Sequence, residues 1–233
     1  MNLGEVFYAL GSCELSLSRE GGNNDGSIKP AFYGSILNLV NLGLTSIYKE
    51  FKLKVVRKEF VIGLPNSSYN INVDKDVLEI LEVFNEDGIS IPINTAVSAT
   101  NKAMVDDSNG FCVRKITTND VVLGSGVTGQ SFVVEYKALH PKVILPTGIP
   151  VEDVDLALVE LQLPEPYLDL LVYYVAYKLS TAKDLQGVMG KAPFHVGNNY
   201  QQRYETELLK LRNQGYDVDS EIQDNRFAAK GFC

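Results

Sequence analysis

Cysteine and histidine are both scarce in this chain of 233 residues, and each scarcity removes a class of chemistry. Cys13, Cys112 and Cys233 are odd in number, far apart and free of any C-x-x-C pair. Such spacing gives neither a disulfide framework nor a zinc knuckle, and it suits reduced thiols in a cytosolic setting. The only histidines, His140 and His195, belong to no H-E-x-x-H or H-x-x-x-H cluster, so metal ligation has no support from spacing. Positive charge is short as well: 21 Lys+Arg stand against 29 Asp+Glu, for a net charge of -8. That balance argues against a surface that grips nucleic-acid phosphates. Long apolar runs are missing, and residues 170–177 are far too few to span a bilayer. The first residues carry no basic and apolar leader, so export by a signal peptide is not expected. No internal repeat or low-complexity tract appears.

Ordinary globular composition remains, 45% apolar and 21% charged, and its patterning divides the chain. Leu3, Val6, Phe7, Leu10, Cys13 and Leu17 recur at three- and four-residue intervals and predict a first helix. A polar, glycine-rich stretch at 20–26 ends it. Pro30 then opens a second helix through Leu37, Val40, Leu44, Ile47 and Phe51, expected to pair antiparallel with the first. From residue 53 the period falls to two, with a change of parity that predicts a bulge near Val55 and Val56. Further strands are expected at 69–73, 77–84, 89–93 and 132–138. The 77–84 segment also fits a helical spacing, and Asp87-Gly88 supplies a hairpin turn.

Helical spacing returns after Pro164 and Pro166. Leu168, Leu171, Val172, Val175 and Leu179 form one stripe, while Leu170, Tyr173, Tyr174 and Tyr177 cover the other side. A helix so apolar on all sides belongs at the centre of a bundle or against another subunit, which makes Tyr173, Tyr174 and Tyr177 candidate subunit contacts. Gly187, Gly190 and Pro193 interrupt it, and a fourth helix carries Tyr200, Tyr204, Leu208 and Leu211 on one face. The expected fold is α+β: a bundle of about four helices from residues 1–50 and 151–215, an inserted antiparallel β domain at 51–150, and an extended C-terminal tail at 216–233.

The sharpest apparent motif is Gly124-Ser125-Gly126-Val127-Thr128-Gly129-Gln130-Ser131. It matches G-x-G-x-x-G, and it falls one lysine short of a P-loop. Both motifs need a helix behind them whose N-terminus faces the phosphate, yet a strand-like segment comes next here, so a flexible hairpin tip is the better reading. The acid pairs and triplets at 74–76, 106–107 and 152–155 lack the alternating register of a calcium loop. No G-x-S-x-G elbow is present. Neither a catalytic centre nor a cofactor is expected. In the tail, Phe227 and Phe232 are apolar anchors beside Arg226 and Lys230, and Gly231 permits a sharp bend, so these five residues are candidates for partner binding.

In the order of these elements the chain resembles the head-to-tail connector adaptors of tailed bacteriophages, especially short-tailed ones. The likeness rests on the paired N-terminal helices ending Ile47-Tyr48-Lys49-Glu50-Phe51, the strand, Asp87-Gly88 turn and Ile91-Pro92-Ile93-Asn94 of residues 69–94, and the return strand at 132–139. It rests also on Leu163-Pro164-Glu165-Pro166-Tyr167-Leu168 opening an aromatic helix, on Tyr200-Gln201-Gln202-Arg203-Tyr204, and on the Arg226-Phe227 and Gly231-Phe232 ending. The resemblance implies a helical bundle with a sandwich-like β insertion, repeated around an axis as a ring, commonly of twelve copies. Such a ring sits in the virion at the head-to-tail junction, after assembly in the host cytoplasm. It meets the portal protein and the tail tube or nozzle proteins, engages no membrane, and lets genomic DNA pass without binding it specifically. The tail would dock into the portal or an adjacent ring. The alternative reading is a carbohydrate- or protein-binding β-sandwich module.

Overall fold

A computed structural model of the chain describes residues 1–14, 27–62, 68–71, 75–91, 93–94, 113–115, 120–123, 131–185 and 193–214. The Gly124 motif and the 216–233 tail, with Arg226, Phe227, Lys230, Gly231 and Phe232, lie outside the described residues. The fold is α+β, with four helices and a four-stranded antiparallel sheet among the described residues. The chain divides into a helical unit, Met1–Phe51 with Lys142–Cys233, and a β unit, Lys52–Pro141.

In the helical unit, α1 spans Leu3–Ala9 and runs into a π-helical turn at Leu10–Glu14. A capping box starts it: the Asn2 side chain accepts the Glu5 N–H at 2.9 Å while the Glu5 carboxylate accepts the Asn2 N–H at 3.1 Å. Two donors that the first turn leaves without helical partners are thereby satisfied. The expected antiparallel pairing of α1 along α2 is not the main contact. Leu3 donates its N–H to the Val159 carbonyl at 2.8 Å and Leu161 donates to that of Met1 at 2.9 Å, so backbone bonds fasten α1 beside the 3-10 turn Leu156–Leu158. Contact with α2 is made where the Phe7 ring meets Tyr33 edge-on at 5.2 Å.

Helix α2 spans Tyr33–Glu50 after a 3-10 turn at Pro30–Phe32. Ile36, Leu37, Val40, Leu44, Ile47 and Tyr48 are buried at the spacing the sequence predicts, each side chain removed from water being worth about 1.5–3 kcal/mol. It stops at Phe51, which turns extended and buries its ring edge-on against Tyr167 at 5.0 Å. Tyr167 closes the 3-10 turn Glu165–Tyr167 that leads into α3, Leu168–Leu185. On α3, Leu170, Leu171, Val172, Val175 and Ala176 are buried. Helix α4, Pro193–Asn213, packs along α3 and buries Leu211.

The β unit contains β1 (Val55–Val61), β2 (Ser68–Asn70), β3 (Val77–Asn85), β4 (Ser90–Ile91), β5 (Ile93–Asn94), β6 (Val113–Lys115), β7 (Asp120–Leu123) and β8 (Ser131–Ala138). One sheet has the order β1-β8-β3-β4 and is antiparallel throughout; the other has the order β2-β7-β6-β5. Strand 77–84 is present as expected, but the bulge is not where parity placed it. The β1–β8 register runs unbroken from Val55 opposite Lys137 to Val61 opposite Ser131. The irregularities fall instead on β3 against β8, between Val77 and Glu79 and between Ile80 and Glu82. Each shifts the alternation by one, so Val77, Ile80 and Val83 all reach the core at every third residue. The antiparallel expectation also fails at one pair: β5 and β6 run parallel, with Ile93 opposite Val113, and residues 95–112 supply the length such a crossover requires.

The core of the β unit joins Phe132, Val134, Tyr136 and Ala138 of β8 to Val77, Ile80 and Val83 of β3, and to Ile71 and Val121. Phe60 stacks on Phe132 at 5.4 Å, and Tyr69 meets the same ring edge-on at 5.0 Å. The β3–β4 turn forms at Asp87-Gly88: Gly88 takes a positive φ of 77° and Asn85 Oδ1 accepts the Asp87 and Ile89 N–H groups.

Gly43 sets how closely α2 and α3 approach. A Cβ added there would lie 2.6 Å from Leu171 Cδ1 and 3.0 Å from Tyr174 Cδ1, inside van der Waals contact. Gly43→Leu is expected to lower unfolding stability by about 1–3 kcal/mol through overpacking, despite the better helix propensity of leucine. Denaturant melts should show the midpoint fall; an unchanged or raised midpoint would mean that the two helices do not meet there.

Candidate subunit-contact surface

Tyr173, Tyr174 and Tyr177 follow the 3.6-residue period of α3 and therefore point in different directions around its half-buried side. Tyr174 turns into the junction of three helices, where its ring meets Tyr204 of α4 at 5.6 Å and 63° and lies against Gly43 of α2. The Tyr204 hydroxyl in turn lies 3.2 Å from Ser46 Oγ on α2. Burial is the main reason that both phenols are pushed above the usual tyrosine range, and for Tyr174 the neighbouring Tyr204 and Tyr177 add to it. At Tyr204, Glu50 raises the value further while the Ser46 hydrogen bond and Arg212 oppose it. Arg212 pairs with Glu50, tying the end of α4 to the end of α2.

The other two tyrosines stand beside cations. The Arg203 guanidinium lies 5.9 Å from the Tyr173 ring and 5.7 Å from that of Tyr200. Lys178 Nζ lies 4.7 Å from the Tyr177 ring and 5.5 Å from that of Tyr174. Each contact is of the kind worth about 0.5–1 kcal/mol at an exposed site. The α3–α4 seam thus presents flat aromatic surface with phenolic hydroxyls, held in place by two cations. It offers hydrogen bonding and shape, which are the properties of a contact surface.

Sequence patterning did not single out Arg203, Lys178 or Tyr200 for this seam. Arg203 comes three residues after Tyr200 and Lys178 four after Tyr174, so both spacings place cation and ring on one helix face. The partners across the seam carry no such local signal.

Among the described residues, no group of three His, Cys, Asp or Glu side chains is placed to hold a metal ion. No helix among them is long and apolar enough to cross a membrane. His140 lies buried just past β8, with Nδ1 2.5 Å from the Pro141 carbonyl oxygen. Burial pushes its pKa down, the Pro141 contact opposes this, and the nearby Lys54 charge adds to the lowering.

The chain matches no family model and no curated protein.

Tyr48 gives the bundle a pH dependence of its own. It is buried, its hydroxyl donates to the Gln162 carbonyl, and desolvation pushes its pKa up to about 12. The unfolded chain releases that proton near pH 10, so between about pH 10 and about pH 12 the native state holds more protons than the unfolded state. Its contribution to stability is complete below pH 10 and is lost as pH rises through about 12. Tyr48→Phe should cost about 1 kcal/mol at neutral pH and flatten the alkaline decline, which Tyr174 and Tyr204 share. Urea titrations from pH 8 to 12 measure both effects; an equally steep alkaline decline in the variant would contradict this role of Tyr48.

Proposed function

We propose that the chain is a structural subunit of an adaptor ring at the head-to-tail junction of a tailed bacteriophage, placed between the portal and the tail tube or nozzle proteins. In this reading it acts without a catalytic centre or cofactor. Its β unit is a sandwich-like insertion, its C-terminal segment with Arg226, Phe227, Lys230, Gly231 and Phe232 is a docking arm, and the ring, commonly of twelve copies, passes DNA. It functions in the virion and is assembled in the host cytoplasm.

The observation that carries the reading is the construction of the helical unit. The segments on either side of the β unit join in one bundle, and the α3–α4 seam leaves Tyr173, Tyr177 and Tyr200 half-buried beside Lys178 and Arg203. A closed ring needs two different faces on each subunit, one to meet the face of the next. The aromatic seam is suited to be one of them, since aromatic rings and arginine are enriched at subunit contacts. The net charge of -8 also suits a passage for DNA, because a predominantly acidic subunit offers few sites at which phosphates would displace counterions and stick.

Purified chain imaged by electron microscopy, alone and with a phage portal, should give particles with a rotational axis. Tyr177→Asp, which puts a desolvated charge into the contact, should abolish them while the circular dichroism spectrum stays unchanged. The wild-type particles should leave duplex DNA unretarded at physiological salt. Protein that stays monomeric under both conditions would refute the ring, and a β unit with sugar or protein affinity of its own would favour the binding-module alternative.

A further inference from the structure

Strand β1 lies at one end of its sheet, and among the described residues β8 is the only strand paired with it. The Lys54 carbonyl accepts the Ala138 N–H at 2.9 Å, and the register continues from there without a break, from Val55 opposite Lys137 to Val61 opposite Ser131. In an antiparallel ladder, residues that bond to the neighbouring strand alternate with residues that do not. Residues 54, 56, 58 and 60 therefore turn their main chains toward β8, while Val55, Arg57, Glu59 and Val61 turn theirs toward the open side. The same four residues carry exposed side chains, and Val61 is 77% exposed. An edge of seven residues without a bulge, whose outward N–H and carbonyl groups meet no partner among the described residues, is a template for a further strand.

That edge is complementary to itself. A two-fold axis through Lys58, perpendicular to the sheet, sets the strand against a second copy running the other way, so that Val55 faces Val61, Val56 faces Phe60 and Arg57 faces Glu59. Outward-turned residues then oppose outward-turned residues, and one register satisfies the free main-chain groups of both strands. A slip of two residues either way would set Arg57 against Arg57 or Glu59 against Glu59, so charge selects the register centred on Lys58. Within its own subunit Arg57 gives Nε to Glu135 at 2.6 Å, which leaves its terminal nitrogens for Glu59 of the other copy. Lys58 alone meets its like, on the inner face of the sheet, where its Nζ lies 5.9 Å from the Phe60 ring. Its repulsion limits the strength of the pairing, as charges at sheet edges generally do. We propose that β1 is a self-association edge, at which two copies of this chain join their β1 strands antiparallel into one continuous sheet. The contact closes on itself and pairs subunits two at a time, so it goes beyond the ring reading and does not rest on it.

Sedimentation equilibrium of the full chain, over a range of concentrations, should reveal a monomer–dimer component. Glu59→Arg and Arg57→Glu should each weaken dimerisation by about tenfold, because the two-fold axis turns two opposite-charge pairs into two like-charge pairs. An equimolar mixture of the two variants should recover it, since each chain repels its like while in the mixture every cation of the edge meets an anion. Lys58→Thr, which removes the one like-charge contact, should tighten the dimer by about threefold. Circular dichroism checks the folding of each variant, and if either charge variant fails to fold, Lys58→Thr carries the test alone. A mixture no tighter than either variant by itself, self-association indifferent to all three substitutions, or a chain that stays monomeric at every concentration, Lys58→Thr included, would overturn the proposal. None of these substitutions touches the α3–α4 seam, so rings that persist beside such results leave the ring reading standing, and its own failure is read from the portal images.

Discussion

The helical unit depends on holding together two stretches of chain that the β unit separates, and Asn41 is the residue that closes the gap. From the middle of α2 its side chain reads both polar groups of Val143: Oδ1 accepts the Val143 N–H at 2.8 Å and Nδ2 donates to the Val143 carbonyl at 3.0 Å. Nδ2 also meets the Leu37 carbonyl of its own helix at 3.1 Å, which fixes the amide orientation. The outgoing stretch is held by the buried Phe51 ring against Tyr167. Departure and return are therefore both fastened to the bundle, one by an apolar contact and the other by a pair of hydrogen bonds that an unpaired buried amide would make costly to lose.

Once the returning chain is fixed at Val143, the later segments take defined positions. Leu161 and Val159 take the backbone of Met1 and Leu3, Gln162 receives the Tyr48 hydroxyl, and α3 comes to lie on Gly43 of α2. Helix α4 then adds the Tyr174–Tyr204 contact and the Arg212–Glu50 pair. The proposed contact surface arises from this order of construction. The aromatic seam exists because α4 covers only part of α3, leaving Tyr173 and Tyr177 half-buried.

Helices α2 and α3 were legible in the sequence because their buried positions are filled by Ile, Leu and Val at helical spacing, a pattern set within one element. Strand β8 was legible for the same reason, with Phe132, Val134 and Tyr136 alternating toward the core. Strand β3 was ambiguous because its two register shifts give Val77, Ile80 and Val83 a spacing of three, the arithmetic of a helix produced by a bulged strand. The fastening of α1 to residues 159–161 leaves no mark, since main-chain hydrogen bonds do not depend on side-chain identity. The parallel β5–β6 pair was hidden because its direction is decided by a connection, not by the strands. At the α3–α4 seam the tyrosines stood out by their number, whereas the cations beside them gained meaning only from helices brought together in space.

The proposed contact surface requires the two segments that flank the β unit in sequence to close into one bundle, and amide hydrogen exchange at Val143 measures that closure directly. With Asn41 in place, the Val143 N–H should exchange as slowly as the core amides of α2. In Asn41→Leu it should exchange at least about tenfold faster, the equivalent of losing one hydrogen bond of roughly 1.4 kcal/mol, while β8 amides of the β unit keep their protection. A Val143 amide that exchanges freely in the wild-type chain, or one that stays equally protected in the variant, would contradict the claim that α2 holds the returning chain.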